Sequence, residues 1–456
     1  MIATLPAKPM LSLFDTIAII IGLVVGASIF ETPSFVAANA GSVEGVFLTW
    51  GLGGVISLIG ALCYAELTTA YPHPGGTYYY LRRSFGPAIA FLFAWTRMSV
   101  IQTGTIALLA FIFGDYASQL WRLGGHSASI YAASALLLLT VLNLRGIRQS
   151  RRTQTLLAIA QVTGLIIVVV IGLGISLSST TAVGMDAAIQ PDLSAATLAQ
   201  TSVARSPNWG LVMVFVLLTY GGWNEAAYIA SDVRNGRQNL VRALVGSIGL
   251  ITVFYLVINW ALIRSLGLTQ MAASQTVVAD LMQLSLGQPG TVLMTGLVMV
   301  TTIGSLNATI FTGARTNYAL GQDFAIFTTL GRERNGTPTN ALLVQSVIAG
   351  LLVMVGTITR HGFETMVGYT APAFWFFFLL SGIALFVLRR QRPDVEGAFR
   401  VPFYPWTPLA FCGVCVYMLQ ASLAHTGWGG LLGVLMLLLG LPLLWWTQKD
   451  ANLVRR

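Results

Sequence analysis

Two short groups of small residues lie where the backbone itself could bind a ligand. Gly26-Ala27-Ser28 and Gly221-Gly222 each lie in the middle of a long apolar segment. Glycine costs about 1 kcal/mol relative to alanine inside a helix, and paired small residues are where helices kink or unwind. An opened helix leaves free N–H groups and a positive dipole on one half, and free carbonyls on the other. The two breaks therefore predict a site for a molecule that carries an anionic and a cationic group. Close helix packing is the alternative explanation, because Gly22 and Gly26 also have small-xxx-small spacing.

Charged side chains within the apolar segments are the second feature with chemical consequences. Such a group in a bilayer costs about 2.5–3.5 kcal/mol on insertion scales, so each one needs a partner or a use. Glu225 directly follows the second break. It is a countercharge for a cationic substrate, a carboxyl that binds and releases a proton, or a structural partner for a neighbouring helix. We expect Glu66, Arg97 and Arg315 to act at a cytoplasmic gate, and Asp15 at the inner end of the first apolar segment.

The composition indicates which elements position these residues. The 456-residue chain is 55% apolar and only 9% charged, whereas soluble domains carry roughly 25% charged residues. This excludes a water-soluble globule, and three cysteines exclude a disulfide scaffold. The apolar runs are continuous, which favours helices over barrel strands. Windows of about 20 residues, the length that crosses a bilayer, predict about twelve spans, at 14–38, 44–70, 87–119, 129–143, 154–177, 208–230, 241–263, 289–320, 340–358, 363–388, 406–424 and 428–447.

The positions of the basic residues predict the orientation. With the N-terminus inside, most of the 25 Lys and Arg residues fall in cytoplasmic segments, and the outer segments hold only Arg122, Arg205, Arg264 and Arg360. Cytoplasmic loops normally carry this excess. We therefore expect both termini in the cytoplasm and a multi-pass protein of the plasma or inner membrane. The net charge of +9 suits an anionic inner leaflet and requires no nucleic acid.

The breaks occupy matching places in the chain. One lies in the first span of a block of five, and the other in the first span of the next block. An odd number of spans inverts the second block relative to the first. Interrupted helices at corresponding positions of inverted repeats are the best sequence indication of a transporter binding site, here for the carboxylate and ammonium of an α-amino acid. We expect a single transmembrane domain over 1–456, with repeat one at about 11–178, repeat two at about 207–389 and additional helices at about 405–447.

Motifs along most of the chain resemble the amino acid–polyamine–organocation superfamily, within it the L-type amino acid transporter-like branch. They are Gly26–Phe30, Gly60–Leu67, Tyr220–Asn224 and Gly304–Arg315, together with Pro74–Tyr80, which resembles the family's cytoplasmic re-entrant loop. The resemblance implies an all-α polytopic membrane protein with the leucine-transporter-type fold. That fold has a five-plus-five inverted repeat, two C-terminal helices and alternating access.

The resemblance also implies which residues bind the substrate. Backbone amides of the first break would bind the substrate carboxylate, and carbonyls of the second break would bind the ammonium. Trp223 and Asn224 would line the unwound part of the sixth span. The substrate-binding residues implied in this way are Gly26, Ala27, Ser28, Ile29, Leu218, Thr219, Tyr220, Gly221, Trp223 and Asn224.

Departures from the family pattern bear on substrate and coupling. Ser28 stands where glycine is usual, so it narrows the approach to the substrate or donates its hydroxyl. Leu218 stands where many members have an aromatic gate, so a large aromatic substrate is implied less strongly. Gln161 stands where several relatives have a fifth-helix lysine in the place of a coupling cation. Because glutamine cannot carry a proton charge, this favours exchange or Na⁺-independent facilitation over a lysine-linked proton mechanism, although Glu225 is a second candidate for carrying a proton. The loop Trp121–Ile130 has no cysteine, so no disulfide-linked heavy chain is expected.

Metal and cofactor chemistry has little support in the sequence. Ser305 and Thr309 are spaced to share one helix face as sodium ligands, but such hydroxyls usually bond their own backbone. No span carries two histidines, so we expect no bound metal and no cofactor. Cys412 and Cys415 lie in an apolar span and indicate packing.

The sequence as a whole predicts a non-enzymatic secondary permease for amino acids. Neutral amino acids are the favoured substrates, with exchange or H⁺-linked uptake as the mechanism. A permease for cationic amino acids or polyamines is the close alternative, motivated by Glu225. A membrane channel or membrane enzyme is the alternative from a different class.

Overall fold

The computed structural model describes residues 12–73, 75–145, 159–160, 163–164, 166–174, 207–229, 233, 236–334, 337–391 and 398–446. Nearly all of these residues are helical. An isolated β-bridge joins Arg334 and Thr337. The prediction of an all-α polytopic chain is confirmed for this part of the protein.

Nine helices in the described ranges are long and apolar enough to cross a membrane. Continuous apolar runs become helices because a helix satisfies its backbone hydrogen bonds internally, without water. Only part of the predicted fifth span is described, and its residues 166–174 are helical. The nine helices are Val43–Ala70, Pro87–Leu120, Ser127–Leu144, Gln238–Ala273, Val277–Asp323, Thr339–Thr359, Gly362–Gln391, Trp406–His425 and Gly427–Trp446.

Two shorter apolar helices, Leu13–Val24 and Trp209–Thr219, are the first halves of the two spans predicted to be broken. Their second halves are the helices Thr32–Asn39 and Ala226–Ile229. A short helix, Gly76–Phe85, begins within the segment expected to be re-entrant and ends just before the third span starts at Pro87. The predicted spans thus correspond to helices wherever the chain is described.

Local sequence explains where several helices begin. At the start of the first span, Ser12 Oγ accepts a hydrogen bond from the Asp15 amide at 3.2 Å, and the Asp15 carboxylate accepts one from the Ser12 amide at 3.0 Å. This reciprocal capping box satisfies two amides that have no acceptor inside the helix. Ser42 caps the second span in a similar way by accepting from the Gly45 amide at 3.0 Å. Asp15 therefore caps the N-terminal end of the first span, and the cytoplasmic location of this end stays a prediction.

Packing between the helices depends on close approach of small residues to large ones. The Phe111 ring lies against Gly356 and Gly362, where an added Cβ would come within 2.4 and 2.3 Å of the ring atoms. Small residues permit such contacts between membrane helices. The opposite faces of the helices expose large apolar side chains, as a lipid-facing surface requires, among them Leu137, Val347, Leu351 and Ile358.

Candidate functional site

The first predicted break is a real interruption of the helix. Leu13–Val24 ends, and Gly26 adopts an extended conformation with φ −96° and ψ 179°. A single 3₁₀ turn, Ala27–Phe30, follows it. The first amides of a helical turn have no acceptor inside it, and those of Ala27 and Ser28 have none elsewhere in the described chain. The break therefore presents free donors in the middle of a membrane span.

Helix packing does not account for the glycines of this break. A Cβ added at Gly22 would meet nothing within 4 Å, and one at Gly26 would meet only the Val24 carbonyl of its own loop, at 4.0 Å. Neither glycine therefore contacts another described helix closely. Space is left open beside the backbone at Gly26.

The second predicted break is also present. The helix Trp209–Thr219 ends, and Gly222 adopts φ 113° and ψ −23°, a conformation that favours glycine. A 3₁₀ turn over Trp223–Glu225 then leads into the helix Ala226–Ile229. The sequence thus located both interruptions correctly, because the glycines that open these helices are visible in it.

The two breaks lie against each other. A Cβ on Gly222 would come within 2.4 Å of the Leu23 carbonyl oxygen, so the two backbones touch there. On the other side of the breaks, the hydroxyls of Thr32 and Thr219 are 2.8 Å apart. Open amides of one span and carbonyls of another therefore share one region of the bundle interior, which is the arrangement that an anionic and a cationic group on one molecule require.

Tyr255 is a site residue that sequence reasoning missed. Its hydroxyl lies 3.3 Å from the Thr219 carbonyl and 3.5 Å from the Val24 carbonyl, so it bridges the ends of both first half-helices. The residue is fully buried. A buried tyrosine usually requires a partner for its hydroxyl, which is a general signal and does not identify the partner.

Aromatic rings surround the second break. Trp223 is buried, stacks on Phe378 with ring centroids 5.4 Å apart, and meets the edge of Tyr64 at 5.3 Å. Toward the Thr219 side, Phe215 stacks on Phe35 at 3.7 Å. Leu218 has no aromatic ring, but the contact of Phe35 with Phe215, which joins the two broken spans, lies one helical turn before Leu218.

Glu225 has a defined partner. Its Oε2 accepts from Arg97 Nη2 at 3.1 Å, and its Oε1 accepts from Arg97 Nη1 at 3.2 Å and from Asn224 Nδ2 at 3.2 Å. Two parallel bonds between a guanidinium and a carboxylate are stronger and geometrically more specific than a single neutral hydrogen bond. Arg97 also begins a π-helical segment, Arg97–Gln102, in the third span, and such irregular turns are frequent at functional sites.

The three residues assigned to a cytoplasmic gate make three separate contacts. Glu66 accepts a hydrogen bond from the Val401 amide at 2.6 Å and lies 3.4 Å from Arg389. Arg97 pairs with Glu225, and the guanidinium of Arg315 lies over the Phe311 ring at 4.6 Å. The structure does not bring Glu66, Arg97 and Arg315 together, so their role in a common gate stays a prediction.

The other coupling assignments also stay predictions. The Thr309 hydroxyl donates to the Ser305 carbonyl at 2.8 Å, which is the backbone bond that competes with sodium binding. Gln161 lies outside the described residues. Among the described residues, no group of three or more His, Cys, Asp or Glu side chains is arranged to hold a metal ion.

Comparison with known proteins agrees with this geometry. A family model described as amino acid permease matches residues 11–440. The chain is 31% identical to the b(0,+)-type amino acid transporter 1 of Rattus norvegicus, over 94% of this chain and 86% of the relative. It is 26% identical to the human cystine/glutamate transporter, over 95% and 84% of the two chains. It is 24% identical to the serine/threonine exchanger SteT of Bacillus subtilis (strain 168), over 97% of both chains.

Proposed function

Because this chain belongs to the amino acid permease family, we propose that it is a secondary transporter that moves neutral amino acids across the membrane by alternating access. Amino acid transport and the resemblance to the L-type branch of the superfamily are confirmed by the relatives. The family and the relatives are transporters rather than enzymes. Preference for neutral substrates, and exchange or H⁺-linked uptake, are the proposed refinements.

The contact between the two broken spans is the observation that carries this proposal. The amides of Ala27 and Ser28 are free to bind a carboxylate, and the helix that ends at Thr219 presents its last carbonyls nearby. We assign the carboxylate to residues 26–29 and the ammonium to the carbonyls of residues 218–220. The substrate side chain would then point toward Gly221, Trp223 and Asn224.

The ion pair of Glu225 supports neutral over cationic substrates. Both carboxylate oxygens of Glu225 accept hydrogen bonds from Arg97, so this acid has no uncompensated charge to offer a cationic side chain. In a permease for cationic amino acids or polyamines, Glu225 would have to release Arg97 and pair with the cationic group of the substrate. We therefore assign Glu225 and Arg97 to the inner gate and treat cationic substrates as the second candidate.

The proposed architecture follows the family. It comprises twelve spans in a five-plus-five inverted repeat with two additional C-terminal helices, both termini in the cytoplasm, and insertion in the plasma or inner membrane. We also propose that no disulfide-linked heavy chain is attached. The chain has three cysteines, and all of them, Cys63, Cys412 and Cys415, are free and lie in spans.

Transport by the purified full-length chain in liposomes tests the proposed function. Vesicles loaded with an unlabelled amino acid should accumulate the same labelled amino acid by counterflow, with L-leucine and L-serine exceeding L-arginine and putrescine. Counterflow driven best by L-arginine or putrescine would favour the second candidate. Absence of saturable counterflow for every amino acid tested would refute the proposal.

We predict that Gly26→Ala weakens substrate binding without loss of stability. The added methyl meets no described atom closer than 4.0 Å, and an extended backbone accepts any residue, so the fold should be unaffected. It would occupy the space through which a substrate carboxylate approaches the amides. Overpacking of this kind costs roughly 1–3 kcal/mol, which is about five- to a hundredfold in the half-saturating concentration of counterflow.

Gly22→Ala is the matched control, because it lies one helical turn earlier with nothing within 4 Å. It should leave the half-saturating concentration as in the wild type and should not lower the thermal midpoint, since alanine is favoured over glycine inside a helix by about 1 kcal/mol. Wild-type affinity in Gly26→Ala would contradict the assignment of the carboxylate to this loop.

A further inference from the structure

Glu31 directly follows the 3₁₀ turn of the first break, and neither the motifs nor the proposed substrate contacts give it a role. The residue is only 8% exposed. Its Oε1 is buried and has no hydrogen-bond partner among the described residues. The groups close enough to act on it electrostatically, Asp115 and Glu364, are themselves acidic. A buried carboxyl thus lies beside the substrate loop with no basic partner in the described chain.

Two other acids inside the bundle have basic partners. Glu225 is paired with Arg97, and Glu66 with Arg389 and a backbone amide. A buried carboxylate without such a partner costs several kcal/mol and requires a proton or a cation to neutralise it. Glu31 therefore needs a ligand that the described protein does not supply.

The two acids that act on Glu31, Asp115 and Glu364, form with their neighbours a candidate route toward one end of the bundle. Asp115 is half-buried and lines a cavity of about 240 Å³, together with His126 and Arg360 at the ends of neighbouring spans. Glu364 is 47% exposed on its side chain and lies 3.8 Å from His361. Exposure thus decreases from Glu364 through Asp115 to Glu31. Chains of acidic and histidine side chains of this kind are typical of proton relays in transporters.

A direct contact holds this route against the substrate loop. Tyr116, the residue after Asp115, donates its hydroxyl to the Phe30 carbonyl at 3.1 Å, immediately before Glu31. This hydrogen bond connects the substrate loop to the helix that carries Asp115. The titratable and charged groups that face Glu31 or this route from the packed elements are Asp115, Tyr116, His126, Asp280, Arg360, His361 and Glu364.

We propose that Glu31 is a proton-binding site that couples H⁺ movement to amino acid transport, loaded through Asp115 from the predicted outer face. The proton binds a Glu31 carboxylate oxygen when the site faces outward and leaves the same oxygen when it faces inward. One H⁺ thus crosses with each substrate. Protonation removes the charge of Glu31 while the first break changes from the outward-facing to the inward-facing arrangement. This inference rests on the proposed function and names its coupling ion.

Proton-driven uptake of L-leucine, with L-serine as a second probe, tests the inference. Liposomes with an internal pH of about 7.5 are diluted to an external pH of about 7.5 or 5.5, the membrane potential is clamped with K⁺ and valinomycin, and a trapped dye reports internal pH. We expect the acidic exterior to raise initial wild-type uptake at least about fivefold, since one pH unit changes a site's proton occupancy by up to about tenfold. The amino acid should also acidify the lumen.

Glu31→Gln removes the proton and keeps the shape of the side chain. Its stimulation by external acid should fall to a ratio of about one, and amino-acid-induced acidification should disappear. Glu44→Gln is the matched control, because Glu44 is an exposed acid at the same predicted face. It should keep both wild-type responses. Wild-type stimulation in Glu31→Gln would overturn the inference.

Two further results separate the inference from the proposed function. If the wild type shows counterflow but no response to the pH gradient, proton coupling at Glu31 is refuted and the permease stands. If no amino acid gives counterflow, the proposed function itself fails.

If the Glu31→Gln protein is inactive, two further measurements still test proton coupling at Glu31. Glu31→Asp should restore acid-stimulated uptake. L-leucine-induced thermal stabilisation in detergent should depend on pH in the wild type but not in Glu31→Gln, and an equal pH dependence in both would refute the inference.

Discussion

Replacing Arg97 by methionine is expected to lower the counterflow rate by at least about tenfold and to destabilise the protein by about 2–3 kcal/mol, somewhat below the 3–5 kcal/mol for breaking a fully buried ion pair. The side chains of Arg97 and Glu225 are 18% and 33% exposed. Methionine keeps the apolar stem but leaves Glu225 as an unpaired charge inside the bundle. Counterflow rate and thermal midpoint measure the two effects.

A double-mutant cycle distinguishes the ion pair from loss of packing. Glu225→Gln alone should also be defective, whereas Arg97→Met combined with Glu225→Gln should recover part of the loss, with a coupling energy of about 1–3 kcal/mol. Arg122→Met, in the exposed loop after the same span, is the control and should behave as the wild type. Strictly additive defects would show that the two side chains do not act as a pair.

Gly222→Ala is expected to abolish transport and to cost about 3 kcal/mol or more of stability, the sum of left-handed backbone strain and overpacking. Gly222 has φ 113°, and a Cβ would come within 2.4 Å of the Leu23 carbonyl oxygen. Backbone cannot move aside as the end of a flexible side chain can. The two broken spans would therefore have to separate, and the site between them would be lost.

The measurement is the yield of folded protein, its thermal midpoint and its counterflow rate. Gly249→Ala lies in the seventh span with nothing within 4 Å of an added Cβ. It should keep the wild-type yield and counterflow rate and change the free energy of unfolding by no more than about 1 kcal/mol. A Gly222→Ala protein that melts and transports as the wild type would contradict the contact between the breaks.

The spans and both helix breaks were predictable from the sequence because they are local properties. Apolar run length decides whether a segment can cross a bilayer, and the glycines at 26, 221 and 222 mark the openings directly. The matching places of the two openings in successive blocks of spans also indicate a transporter binding site. The ordered motifs led to the amino acid permease family, which the comparisons confirm.

The partners of the charged residues were not predictable in this way. Arg97 and Glu225 are 128 residues apart in the chain, and Glu66 and Val401 are 335 apart. The sequence grouped Glu66, Arg97 and Arg315 by their expected depth, whereas the structure gives each its own contact. Depth follows from position along a span, but contact also requires knowing which way the helix is rotated.

Hydrophobic periodicity normally indicates how a helix is rotated about its axis, but in this protein the periodicity indicates little. Membrane helices are apolar toward lipid and apolar toward one another, so no polar face marks the outside. The sequence by itself predicted a helical membrane protein of the amino acid permease family with two opened helices. Only the tertiary structure decided that Tyr255 bridges those openings, that Arg97 neutralises Glu225, and that Glu31 is buried beside Asp115 without a basic partner in the described chain. These contacts depend on how apolar helices rotate and pack together, which no local pattern encodes.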